Sequence, residues 1–173
     1  MDWQKIFTSS QVPIFLLAIS YFVKRYFDLK SKKVEVNHSL FQQNKINAVS
    51  GFFANYAKVN HMWHKLSVFE VLERKISVKE IDEIIWPPIN NLKNSALELK
   101  LFFKTEEHQY FQKVLDNFLH VNETLSKIYF DYDSDKTIIH RTNDFSFFLE
   151  KIKMENEKLI NESSELVRKS FNN

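Results

Sequence analysis

Ile6-Phe7-Thr8-Ser9-Ser10-Gln11-Val12-Pro13-Ile14-Phe15-Leu16-Leu17-Ala18-Ile19-Ser20-Tyr21-Phe22-Val23 carries no charge, and Lys24-Arg25 closes it abruptly. As a helix these residues reach about 27 Å, just under the ~30 Å hydrocarbon core of a bilayer. Trp3 precedes the run, and Tyr21 and Tyr26 stand at its far end, where aromatic belts form. Lys24 and Arg25 can snorkel and extend the usable span toward Phe27 and Leu29. A cleaved signal peptide needs a small-residue cleavage site after its apolar centre. Lys24-Arg25-Tyr26-Phe27-Asp28 follows instead. A buried core helix remains the alternative, because the strictly apolar part, Val12–Val23, is short for a span. The reading adopted is a single N-terminal transmembrane helix, with residues 1–29 as anchor and flanks.

Charge sets the orientation. Lys24, Arg25, Lys30, Lys32 and Lys33 lie just after the run, against Asp28 and Glu35, whereas only Asp2, Lys5 and the amino terminus precede it. The positive-inside rule places the C-terminal side in the cytoplasm. The same five cations are expected to contact anionic headgroups. If several copies gather, helical periodicity lines up Gln4, Thr8, Gln11, Phe15, Ala18 and Phe22 as the pore-facing or helix-facing stripe. Thr8-Ser9-Ser10-Gln11 is costly facing lipid, so it belongs either against neighbours or water, or in the outer headgroup region.

The remaining residues, 30–173, are large enough for one domain. They are expected to form an all-α bundle of about four long helices. Glycine occurs once and proline three times, too few for the tight turns of sandwiches or barrels. That scarcity also excludes glycine-rich phosphate loops. With no cysteine there is no disulfide, thiol nucleophile or cysteine metal site, and a net charge of +2 argues for no polyanion partner. Seventeen phenylalanines can supply an aromatic core.

Nothing forbids a continuous helix from Ile14 to Ser50, and Leu40, Phe41, Ile46, Val49, Phe52, Phe53, Tyr56, Val59 and Trp63 recur at helical spacing. Gly51 within that stripe is expected to permit close helix approach. Ser77-Val78-Lys79-Glu80 matches a capping box. The helix it starts is expected to end or kink at Trp86-Pro87-Pro88, with another starting at Pro88 and running through Leu92, Ala96, Leu99 and Phe103. Thr105-Glu106-Glu107 reads as a start signal, Asp131–Lys136 as a loop, and Thr142 or Asn143 as the start of the last helix.

The motifs that suggest chemistry are weak. His61 and His64 share a helix face, but no spacing fixes a third ligand. Asp131-Tyr132-Asp133-Ser134-Asp135 opens like a calcium loop, yet Lys136 stands at the glycine position and Thr142 at the final glutamate. His140-Arg141 could touch phosphate or belong to a plain surface loop. Trp86-Pro87-Pro88 either docks a partner or packs as a rigid corner into its own core. No nucleophile–base or metal constellation emerges, so neither enzyme activity nor a cofactor is expected.

A short uncharged helix, a lysine-rich exit and Lys32-Lys33-Val34-Glu35-Val36-Asn37-His38-Ser39-Leu40-Phe41 leading into a helical domain resemble small single-pass proteins found beside bacterial antiphage systems. In size and layout the chain resembles the accessory membrane protein of type VI-B, RNA-targeting CRISPR systems. The resemblance implies a homo-oligomeric pore that strengthens defence when the guide-directed ribonuclease is active, and so implies that RNA-guided nuclease as partner. The family carries a divergent motif of arginine, a short spacer and histidine. None of Arg25, Arg74, Arg141 and Arg168 is followed by histidine at that spacing, which argues against ribonuclease activity here. The expected function is therefore an oligomeric membrane effector, with a membrane-tethered adaptor for a cytoplasmic partner as the alternative.

Overall fold

The computed structural model describes residues 11–131 and 137–171, with side chains from Ser20 onward. The described residues are all-helical: α1 (Gln11–Lys65), α2 (Val68–Leu72), α3 (Val78–Leu99), α4 (Thr105–Phe130) and α5 (Ile138–Phe171). Four long helices and one short one agree with the expected all-α class. The chain divides into two units, residues 1–44 and 45–173.

In the first unit, α1 runs unbroken through Lys30–Asn37. Every described residue from Ser20 to Phe41 is exposed. Among the described residues no helix is long and apolar enough to cross a membrane. Much of the run Ile6–Val23 lies outside that set: Gln4 and Thr8 are not described, and of Gln11, Phe15 and Ala18 only the helical backbone is.

The second unit carries the core. Along α1 it is entered at Ala48 and Val49 and continues through Phe52, Val59, Met62 and Trp63. Leu40, Phe41 and Ile46, expected on the same stripe, are 57%, 48% and 46% exposed. They repeat with the right period but lie before the other helices supply a facing surface. Phe52 meets Phe111 edge-on at 5.0 Å, Phe111 meets Phe103 at 5.2 Å, and Tyr56 lies 5.8 Å from Phe118. Edge and tilted contacts suit the ring quadrupole better than a face-to-face stack. Trp63 and Phe145 extend the cluster toward α5. The main packing partners are α4 with α5 and α3 with α4, with α2 laid against α4 and α5.

Three expectations are corrected. The helix that begins at the Ser77 capping box does not end at Trp86: α3 continues through Pro87 and Pro88 to Leu99. Each proline removes one helical N–H bond, so the carbonyls of Glu83 and Ile84 lose their usual donors. Burial of Ile85, Ile89, Leu92, Ala96 and Leu99 along one face offsets that loss. Gly51 makes no close approach either, since a Cβ there would meet nothing within 4 Å. The last helix begins at Ile138, before Thr142, because Thr137 acts as its start: its carbonyl accepts from Arg141 N–H at 3.1 Å and its Oγ1 from His140 N–H at 3.4 Å.

The capping box is present as read. Glu80 N–H donates to Ser77 Oγ at 3.3 Å, and Ser77 N–H donates to Glu80 Oε2 at 2.9 Å. The Ser77 hydroxyl, and then its N–H, hold the Glu80 carboxyl below the usual glutamate range. At the other junctions Ser67 caps α2, and Arg74 closes it with a positive φ of 59°. The Arg74 guanidinium lies 5.5 Å above the Tyr129 ring, a contact that compensates for an unfavourable backbone angle.

Candidate functional site

The structure offers two surfaces, each within one unit. The first is the described part of the arm, residues 20–44 of α1. Lys24, Arg25, Lys30, Lys32 and Lys33 are all exposed, as the headgroup reading requires of them. Phe22, the described side chain of the proposed inward stripe, is 69% exposed. Tyr21, Phe22, Val23, Tyr26, Phe27, Leu29, Val34, Val36, Leu40 and Phe41 are between 48% and 69% exposed, an unusual load of apolar surface for one helix. Arg25 Nη1 donates to Tyr21 Oη at 3.0 Å, which holds one cation along the arm one turn from its ring partner.

The second surface lies in the bundle, along α3. Trp86 is 39% exposed and its Nε1 donates to Asp82 Oδ1 at 3.1 Å. The Trp-Pro-Pro segment therefore does not pack its indole into the core: it presents Trp86 and Pro87 on the surface, beside Val78, Asp82 and Asn90. Next to it a cleft of about 210 Å³ opens between α2, α3 and α4, floored by Val71, Ile81 and Leu125 and walled by Tyr129 and Phe130. Asp82 and Val78 belong to both depressions.

The remaining sequence motifs stay apart. His61 and His64 are exposed, and among the described residues no group of three metal-ligating side chains converges. His140 is exposed on the first turn of α5 and Arg141 is half-buried. Of the calcium-like segment Asp131–Asp135 only Asp131 is described, exposed at the end of α4, and the rest lies outside the described residues.

Sequence reasoning missed the buried polar groups, since lone polar residues on a core face carry no spacing signal. Lys45 is 6% exposed; its Nζ donates to the Ser170 carbonyl at 3.4 Å and lies 4.8 Å and 5.0 Å from the Phe103 and Phe171 ring centres. Burial pushes its pKa below the usual lysine value, with Glu107 acting in the opposite direction. His108 Nε2 lies 2.7 Å from the Ala96 carbonyl, so that nitrogen carries the proton and donates. Asn156 is fully buried and accepts from Asn117 Nδ2 at 2.8 Å. These contacts tie helices together. None joins a nucleophile to a base.

No protein-family model, curated protein or solved structure matches this chain.

Proposed function

We propose that this protein is a non-enzymatic, homo-oligomeric membrane effector. Residues Ile6–Val23 anchor it in a bilayer with the bundle on the cytoplasmic side, Lys24, Arg25, Lys30, Lys32 and Lys33 meet anionic headgroups, and gathered anchors perturb the membrane. The setting follows the resemblance stated above, antiphage defence beside an RNA-guided nuclease. One observation supports the reading most: the ten exposed apolar side chains between Tyr21 and Phe41. Isolated helices are marginal in water, and exposed apolar area on this scale marks a surface that lipid or protein covers. One helix cannot enclose water, so permeation requires several chains.

The test is flotation and leakage with the full-length chain. The wild type is expected to float with vesicles and to release dye. Leu17→Arg places a charge mid-span at about 2.5–3.5 kcal/mol on insertion scales and should abolish flotation. Phe15→Ser should increase leakage, since it removes a hydrophobic constriction. Thr8→Leu with Gln11→Leu should suppress it. Folded wild type recovered without detergent and absent from the floating fraction overturns the reading.

The exposed Trp86–Pro87 surface with its neighbouring cleft supports a second reading, a tethered adaptor that recruits a cytoplasmic protein. Flotation with no leakage in any variant moves the assignment to it.

A further inference from the structure

Around Trp86 the surface of α3 is rich in acceptors. The Nε1–H of Trp86 donates to Asp82 Oδ1 at 3.1 Å, while the ring stays 39% exposed. A hydrogen bond near the ring plane fixes the indole without covering its faces, and an aromatic face attracts cations. Among the described residues nothing donates to Asp82 Oδ2, and no cation pairs with that carboxylate. Glu83 meets Lys79 only at 3.8 Å, with both side chains exposed, a pairing worth little. Pro87 has no N–H, so the Glu83 carbonyl lacks its helical donor on this same face. The depression lined by Asp82, Glu83, Trp86 and Pro87 therefore sets acceptors around one indole.

The neighbouring cleft is apolar. Its volume is about 210 Å³; Val71 and Leu125 on its floor are buried, and Phe130 on its wall is 56% exposed. A cavity of about 150 Å³ admits benzene, so this cleft has room for a single leucine or phenylalanine side chain. Asp82 and Val78 border both depressions, so the acceptor-rich site and the apolar site share a wall. Val78, Asp82 and Trp86 stand on successive turns of α3, about 6 Å apart along its axis. An extended strand repeats side chains on one side every second residue, about 6.7 Å apart, which matches that separation. Phosphate-bearing partners are disfavoured, because Asp82 and Glu83 would oppose their charge.

We propose that this face of α3 docks a short extended segment of another protein, which seats one apolar side chain in the cleft and lays an arginine on Trp86 beside Asp82. Arginine suits the site better than lysine, because its planar guanidinium stacks on an aromatic face and donates to several acceptors at once. The inference rests on the adaptor reading above and names the partner chemistry that the reading left open.

Fluorescence anisotropy tests it on the whole chain in detergent, with a fluorescein-labelled peptide carrying leucine and arginine two positions apart among alanines and serines. That peptide should bind, and versions with glutamine for the arginine or alanine for the leucine should bind about tenfold more weakly. Asp82→Asn keeps an acceptor for Trp86 Nε1 but removes the charge, and should weaken binding about three- to tenfold. Ser126→Tyr adds a ring at an exposed position on the cleft wall and should abolish binding. Both variants should keep the helical circular dichroism and melt of the wild type, since both positions are exposed.

The proposal is overturned if the leucine–arginine peptide does not bind at about 1 mM, the edge of measurable affinity. Equal binding of the glutamine version overturns it as well, and so does binding that either variant leaves unchanged. A chain count that Ser126→Tyr lowers would put a second copy in the cleft and refute it too. Failure of the adaptor reading shows separately, as leakage from vesicles in the flotation assay.

Discussion

Residues 20–44 and residues 45–65 belong to the same helix and carry similar large apolar side chains at similar spacing, yet they meet opposite fates. Phe22, Tyr26, Phe27 and Leu40 are more than half exposed, whereas Phe52 and Val59 are fully buried. Local propensity does not separate the two stretches. What separates them is whether the chain supplies a facing surface. From Ala48 onward α3, α4 and α5 do, and Phe52 finds Phe111 at 5.0 Å. Before it, within residues 20–41, no side chain is buried. An amphipathic repeat is thus a request for a partner, and the arm shows one that its own unit leaves open.

The strongest way to break this comparison is to truncate one ring on each side. Phe52→Ala should cost about 3–5 kcal/mol, since it removes a fully buried ring and leaves a cavity beside Phe111. Phe27→Ala in the arm should leave the thermal or urea unfolding of the bundle within about 0.5 kcal/mol of wild type. Equal losses at both positions would mean that the arm is part of the bundle's cooperative unit. A smaller effect sharpens the reading of α3. Pro87 is exposed inside the helix, so Pro87→Ala restores a helical N–H and should raise stability by about 1–3 kcal/mol in urea titration. A loss instead would show that α3 needs the proline ring for its course past Trp86. The smallest effect concerns Gly51. A methyl group added there meets nothing within 4 Å, and the backbone is helical on both sides, so Gly51→Ala should stabilise by about 0.4–1 kcal/mol. Destabilisation there would restore the close helix approach that the sequence suggested.

Much of the fold was legible. Ser77-Val78-Lys79-Glu80 and Thr105-Glu106-Glu107 marked two helix starts correctly, because capping and first-turn charge act within one turn and need no tertiary context. The core faces of α4 and α5 keep the helical period, with Phe111, Val114, Leu115, Phe118, Leu125, Phe145, Ile152 and Leu159 buried. Pro87-Pro88 misled, since a proline rule describes an isolated helix, whereas α3 is held by burial on its other face. Lys45, His108 and Asn156 were illegible for a related reason. A polar side chain on an apolar stripe looks the same in sequence whether it reaches water or a buried carbonyl.

Of the candidate surfaces, the arm's charge and the Trp86-Pro87 corner were visible in the chain, whereas the exposure of Leu40 and Phe41 and the cleft beside Trp86 were not. The exposed lysines and aromatics of residues 20–41 lie in one stretch of the chain, so their period and charge are properties of the sequence itself. The cleft beside Trp86 assembles Val71, Ile81, Leu125 and Tyr129 from three helices. Only tertiary packing brings such residues together. By itself the sequence determined the all-helical class, the starts of α3 and α4 and the apolar repeats, because these depend on interactions spanning a few residues. The tertiary structure decided which repeats become core and which stay open, because burial requires a second surface that only the folded chain supplies.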